Sequence, residues 1–127
     1  MMAEGVEKPE EGVVRTGVVL AGAYADKLRR TLFAQLSRKI KSGEVDPKEV
    51  ARAAGEINSL LYEVFVKHLA LSKGDLVRIE APYLLKEGRL SWDLSGLKVR
   101  AFREIGQEVV AKAVEEVLKV KAESSRA

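Results

Sequence analysis

Between Thr16 and Lys41 the chain sets cations and aromatic rings side by side: Lys27, Arg29, Arg30, Arg38, Lys39 and Lys41 share one segment with Tyr24 and Phe33. Ammonium and guanidinium groups neutralise phosphates while aromatic faces stack on bases, so this mixture suits single-stranded nucleic acid. The interleaving returns downstream, where Arg78, Tyr83, Lys86, Arg89, Lys98, Arg100 and Phe102 follow one another. Exposed cations alone are often no more than solubilising. The nearness of both residue classes is what points to a polyanion with flat bases.

Other chemistry finds little support. Cysteine is absent and His68 is the sole imidazole, which excludes disulfides, thiolate zinc sites and a cysteine nucleophile. His68 closes an apolar helical stripe and reads as a packed or capping histidine. The segment Gly17-Val-Val-Leu-Ala-Gly22 has the glycine spacing of a phosphate-binding loop, but Ala23 and Tyr24 occupy the places where Lys and Ser or Thr are required. Gly22 is therefore expected to permit a tight strand-to-helix turn, with its neighbouring amides still able to meet a phosphate. Glu44, Asp46, Glu49, Glu115 and Glu116 read as surface or capping carboxylates. The expectation is a binding protein without cofactor or metal, not an enzyme.

The elements that must carry these residues follow from periodicity. Residues 13–21 are short and β-branched, which favours a strand. From Ala23, Tyr24, Leu28, Leu32, Leu36 and Ile40 recur at spacing four, the inward stripe of a helix that stops at Ser42-Gly43. Tyr24 and Phe33 stand nine positions apart, about 180° around that helix, so at least one of them is expected at a cleft edge. Asp46-Pro47-Lys48-Glu49 supplies an N-cap, a proline at the first helical position and a glutamate at the third, starting a second helix that is expected to run to about Leu71.

Asp75–Leu85 alternates as a strand, Lys86-Glu87-Gly88 turns, and Arg89–Leu94 returns as a hairpin in which Trp92 belongs to the buried face with Leu90 and Leu94. Ser95-Gly96 turns again and Leu97–Phe102 forms a third strand of a meander, placing Lys98, Arg100 and Phe102 on one side. A last helix from Arg103 carries Ile105, Val109, Val110, Ala113, Val114, Val117 and Val120, more apolar surface than a solvated helix should show.

The fold class expected is α+β: a four-stranded antiparallel sheet with helices packed on one side, in the order β-α-α-β-β-β-α. The other sheet face would be open, presenting Lys98, Arg100, Phe102 and Arg78.

At 127 residues and 46% hydrophobic, the chain suits one domain over residues 13–121, between an acidic flexible tail at 1–12 and a flexible C-terminus at 122–127. The net charge of +3 understates the basic character, because the first twelve residues hold four Glu against one Lys. No apolar run reaches the ~20 residues of a membrane span, so a cytoplasmic protein without a membrane partner is expected. The 32% charged residues and scarce side-chain amides suggest a thermophilic source.

The phrase Thr16-Gly-Val-Val-Leu-Ala-Gly-Ala-Tyr-Ala-Asp-Lys-Leu-Arg-Arg-Thr-Leu-Phe-Ala-Gln-Leu36 resembles the ThermoDBP-related family of single-stranded DNA-binding proteins from hyperthermophilic archaea, which do not use the OB fold. The resemblance implies an α+β domain that binds single-stranded DNA as a homo-oligomer through a basic, aromatic-lined groove. Within the matched phrase it covers Tyr24, Lys27, Arg29, Arg30 and Phe33. Arg78, Tyr83, Arg89, Lys98, Arg100 and Phe102 are added from their alternation in strands. The chain departs from the family archetype in lacking a long C-terminal leucine zipper, its last helix reading as short and valine-rich. That helix is expected to join a homodimer or homotetramer, or else to cover the sheet. The function expected is sequence-nonspecific binding of single-stranded DNA by phosphate neutralisation and base stacking, with RNA binding and a non-binding assembly subunit as the alternatives.

Overall fold

The structure, a computed structural model, describes residues 8–126. In chain order it holds β1 (Glu10–Leu20), a 3-10 turn (Ala21–Ala23), α1 (Tyr24–Gln35), α2 (Ser37–Lys41), α3 (Pro47–Tyr62), β2 (Leu76–Lys86), β3 (Arg89–Trp92), β4 (Lys98–Phe102) and α4 (Gln107–Arg126). Residues 1–7 of the expected acidic tail lie outside the described residues, and Glu10–Gly12 already belong to β1. The second helix ends earlier than expected as an α-helix: α3 passes at Glu63 into a π-helical turn that closes at His68.

The four strands are antiparallel and β2 is their axis. One edge of β2 pairs with β1 along its whole length, from Glu10 opposite Leu85 to Leu20 opposite Leu76. The other edge is divided. Tyr83–Lys86 pair with β3, and Leu76–Glu80 pair with β4. The expected meander therefore does not form, since β4 returns to β2 instead of continuing beyond β3. The cause is length: β2 has 11 residues and β3 only 4, which leaves backbone donors and acceptors of β2 for β4 to satisfy. Glu87 and Gly88, at the tip of the β2–β3 hairpin, both have positive φ (51° and 76°), the requirement of a two-residue type I′ turn.

β1 carries a bulge between Arg15 and Val18, with Gly17 at φ 64°. Thr16 is buried there, and its hydroxyl accepts the amide of Ile79 at 3.0 Å, standing in for a carbonyl that the bulge displaces.

One sheet face is closed by helices. Val14, Val77, Ile79, Ala81 and Leu85 pack with Leu28, Leu32 and Leu36, and with Val50, Ala53, Ala54, Ile57 and Leu61 of α3. The spacing-four stripe of the first helix is thus the core stripe. At the start of α3, Asp46 accepts the Lys48 amide at 2.8 Å as N-cap. Glu49 reaches across to β3 instead of back to the cap, accepting the Leu90 amide and the Nε and Nη2 donors of Arg52, each at 2.8 Å. Arg52 holds its carboxyl down to about 2, with desolvation opposing and the Leu90 amide assisting.

The last helix departs most from expectation. α4 is 20 residues long, continues through residues 122–126, and has no buried residue, so it does not cover the sheet. Its root is fixed by Asp75, which accepts the amides of Ser72 at 2.8 Å and Glu104 at 3.1 Å, and by Arg103, which donates to the Leu69 carbonyl at 2.7 Å.

Candidate nucleic-acid interface

Strand register assigns the face of the sheet away from the helices. Three rows cross β1, β2 and β4: Arg15, Glu80 and Lys98; then Val18, Arg78 and Arg100; then Leu20, Leu76 and Phe102. Adjacent strands stand about 4.8 Å apart and alternate residues along a strand about 6.8 Å apart. Four cations and one ring are thereby gathered on a surface that a single nucleotide strand can cross. Arg78, Glu80, Leu97, Lys98, Val99 and Arg100 line a cleft of about 560 Å³ along β4. The Arg100 guanidinium lies 5.2 Å from the centroid of the Phe102 ring, and that residue remains 37% exposed. An apolar border of Val18, Leu20 and Leu76 adjoins the ring, all exposed.

Arg78, Lys98, Arg100 and Phe102 are brought together as the alternation predicted. Arg15 joins them and was not among the candidates. Its side was illegible because the bulge at Thr16-Gly17 breaks the period-two pattern on which such an assignment depends. Arg89 sits apart, in a cleft between β3 and α3 with Arg52, Glu56 and Trp92.

The residues of the first helix lie in the other layer. Arg29 stacks over Phe33 at 4.9 Å, and Phe33 is half-buried against the core, consistent with one aromatic at an edge. Arg30 pairs with Asp26 at 2.8 Å. These groups and Lys27 belong to the helix layer, with the core between them and the open sheet face.

Two expected stacking residues are given to the core. Tyr24 is 8% exposed, meets Phe65 edge-on at 5.0 Å, and its hydroxyl reaches the Asn58 carbonyl at 3.4 Å. Tyr83 is 7% exposed, meets Trp92 edge-on at 5.9 Å, and donates to Gln35 Oε1 at 3.0 Å. Burial raises both hydroxyls above their ordinary range, so they remain neutral. Neither ring offers a face to a base. Trp92 is held in the core as expected, donating to the Ala53 carbonyl at 2.8 Å.

The strand-to-helix turn is tied to the loop before β2. The Ala21 and Gly22 amides are spent on the carbonyls of Asp75 and Lys73, at 2.7 and 3.2 Å. Gly22 has no positive φ; its role is close approach, since a Cβ there would meet the Lys73 side chain at 3.3 Å. Among the described residues no cluster of His, Cys, Asp or Glu fits a metal, and no helix is long and apolar enough to cross a membrane.

Three comparisons bear on this arrangement. The family model described as ThermoDBP-related, archaea, matches residues 14–91. A crystal structure of apeThermo-DBP-RP2 bound to the single-stranded DNA dT10 superposes with a TM-score of 0.80 at 40% identity, covering 93% of this chain and 54% of that one. The chain thus spans about half the length of that neighbour. A crystal structure of pfuThermo-DBP-RP1 superposes with a TM-score of 0.66 at 33% identity, covering 91% of this chain and 74% of that one. No curated protein sequence matches.

Proposed function

Because the chain belongs to the archaeal ThermoDBP-related family, we propose that it binds single-stranded DNA without marked sequence preference, on the open face of its sheet, as a homo-oligomer joined through α4. The observation that carries the reading is the face itself: Arg15, Arg78, Lys98 and Arg100 beside an exposed Phe102, with no helix of the described residues over them. The cations displace counterions from the strand, so affinity falls as salt rises, while the Phe102 ring takes a base. An open sheet face admits splayed bases, and the Phe102 ring can take a base only from a strand whose bases are free to unstack. That a related structure holds dT10 supports the choice of DNA.

The oligomer rests on α4. Val109, Val114, Val117, Leu118 and Val120 are each more than half exposed, and an isolated helix rich in β-branched residues is marginal in water. Burial against a second copy supplies what the chain's own core does not.

Fluorescence anisotropy with labelled single-stranded DNA, duplex DNA and RNA, each across a salt series, tests the binding. Salt-graded affinity for single-stranded DNA above the other two is the expected result. An RNA preference would move the substrate to RNA, and absence of binding at low salt would reduce the function to assembly.

A further inference from the structure

Among the cations of the open face stands one carboxylate. Glu80 Oε1 lies 3.5 Å from Arg15 Nε and 3.8 Å from Arg78 Nη2, and the partner of Glu80 on β4 is Lys98. The carboxylate lines the same cleft as Arg78, Lys98 and Arg100. Both pairs are long, and the two arginine side chains are 65% and 48% exposed, so solvent screens them and they do little for stability. Phosphate oxygens compete for these guanidiniums, which take them in forked geometry.

Once Arg15 and Arg78 turn to phosphates, Glu80 is left as an acceptor with two oxygens in the first of the three rows, between β1 and β4. It repels phosphate and is satisfied only by a donor. Within a DNA strand the donors are the N–H and amino groups of the bases. Guanine presents N1–H and the 2-amino group side by side on its Watson–Crick edge, matching both carboxylate oxygens; thymine presents a single N3–H. Unstacked bases are read along that edge, and carboxylates accept from base amino groups.

We propose that Glu80 is a specificity-determining residue that gives this phosphate-driven surface a modest preference for guanine over thymine. The proposal rests on the open face being the DNA-binding surface. The preference is small beside the phosphate contribution, and its source is the mismatch between an acceptor and a base that cannot fill it.

The test is anisotropy at fixed salt with the full chain and three strands of equal length: homothymidine, alternating thymine and guanine, and the same with hypoxanthine, which keeps N1–H but lacks the 2-amino group. The wild type should bind the guanine strand about fivefold more tightly than homothymidine, with hypoxanthine between them. Glu80→Gln and Glu80→Ala should bind homothymidine more tightly than the wild type, and the guanine preference should vanish in Glu80→Ala. Equal affinity of the wild type for all strands overturns the proposal. So does a guanine preference that survives Glu80→Ala, which would assign it to ring stacking. Failure of the wild type to bind any strand would instead remove the platform, and the proposal with it. A melting curve for each variant establishes that the fold is kept.

Discussion

The hydroxyl of Thr16 accepts the amide of Ile79 at 3.0 Å, a side-chain substitute for a sheet hydrogen bond at the point where β1 bulges. The bulge puts Arg15 and Val18 on the same open face, although an unbroken alternation would put them on opposite sides. Thr16→Val keeps the shape and removes the acceptor, leaving a buried N–H without a partner. The expected cost is about 1–3 kcal/mol in urea unfolding. Thr16→Ser, which keeps the hydroxyl, should lose much less. Equal stability of Thr16→Val and wild type would mean that the hydroxyl contributes nothing at the bulge.

The two basic surfaces lie on opposite layers, so one short strand occupies only one of them. If the open face is the site, Arg78→Ala and Arg100→Ala should each reduce the slope of log affinity against log salt by ~0.7, the value for one phosphate contact on a single strand. Arg30→Ala should leave the slope unchanged, because Arg30 is already engaged by Asp26 in the helix layer. The opposite pattern would transfer the site to α1, where the sequence first suggested it.

Stacking separates in the same way. Phe102→Ala should weaken binding by about 1–3 kcal/mol, the usual worth of a stacked base. Tyr24→Leu and Tyr83→Leu should lower the melting temperature and leave the affinity of the folded protein unaltered, since both rings are enclosed by Phe65, Trp92 and their neighbours. Loss of affinity without loss of stability in either tyrosine variant would contradict their burial.

The legible parts of this fold were those written in local period and punctuation. Leu28, Leu32 and Leu36 announced their helix, and Asp46-Pro47 announced the next. The strand bearing Arg78 and the strand bearing Arg100 could be placed face up from alternation alone. What stayed hidden depended on partners distant in sequence. That β4 pairs with β2 follows from the shortness of β3, which no residue of β4 encodes. Tyr24 and Tyr83 have the composition of ligand-stacking residues and become core only once Phe65, Gln35 and Trp92 close around them. Glu80 likewise gains its setting only from strand register, which puts Arg15 and Lys98 beside it.

Acid should expose the stitch between α3 and β3. The Glu49 carboxyl titrates at about 2 in the folded chain against 4.5 for an unperturbed group, chiefly through Arg52. A depressed folded value means that its stabilising effect is complete above 4.5 and disappears as pH falls through about 2. Melting temperatures of wild type and Glu49→Gln should therefore differ most near about pH 6 and converge as pH falls from 4.5 to about 2. A gap that is constant with pH would show that the loss comes from geometry and not from the charge.

α4 offers the cleanest separation of assembly from folding, because none of its residues is buried within the chain. A charge on its apolar stripe, as in Val117→Asp, removes no contact from the core and should leave the melting of the domain intact. The mass in solution, measured by light scattering, should fall to that of one chain. Affinity for a strand short enough to touch a single sheet face should then be unchanged, whereas affinity for long strands should drop by up to ~100-fold as linked sites are lost. Short-strand affinity that falls equally would place part of the binding surface at the junction between copies. A mass unaffected by the substitution would assign assembly to another face, such as the exposed Tyr62, Val66 and Leu69 at the end of α3 and its π-helical turn.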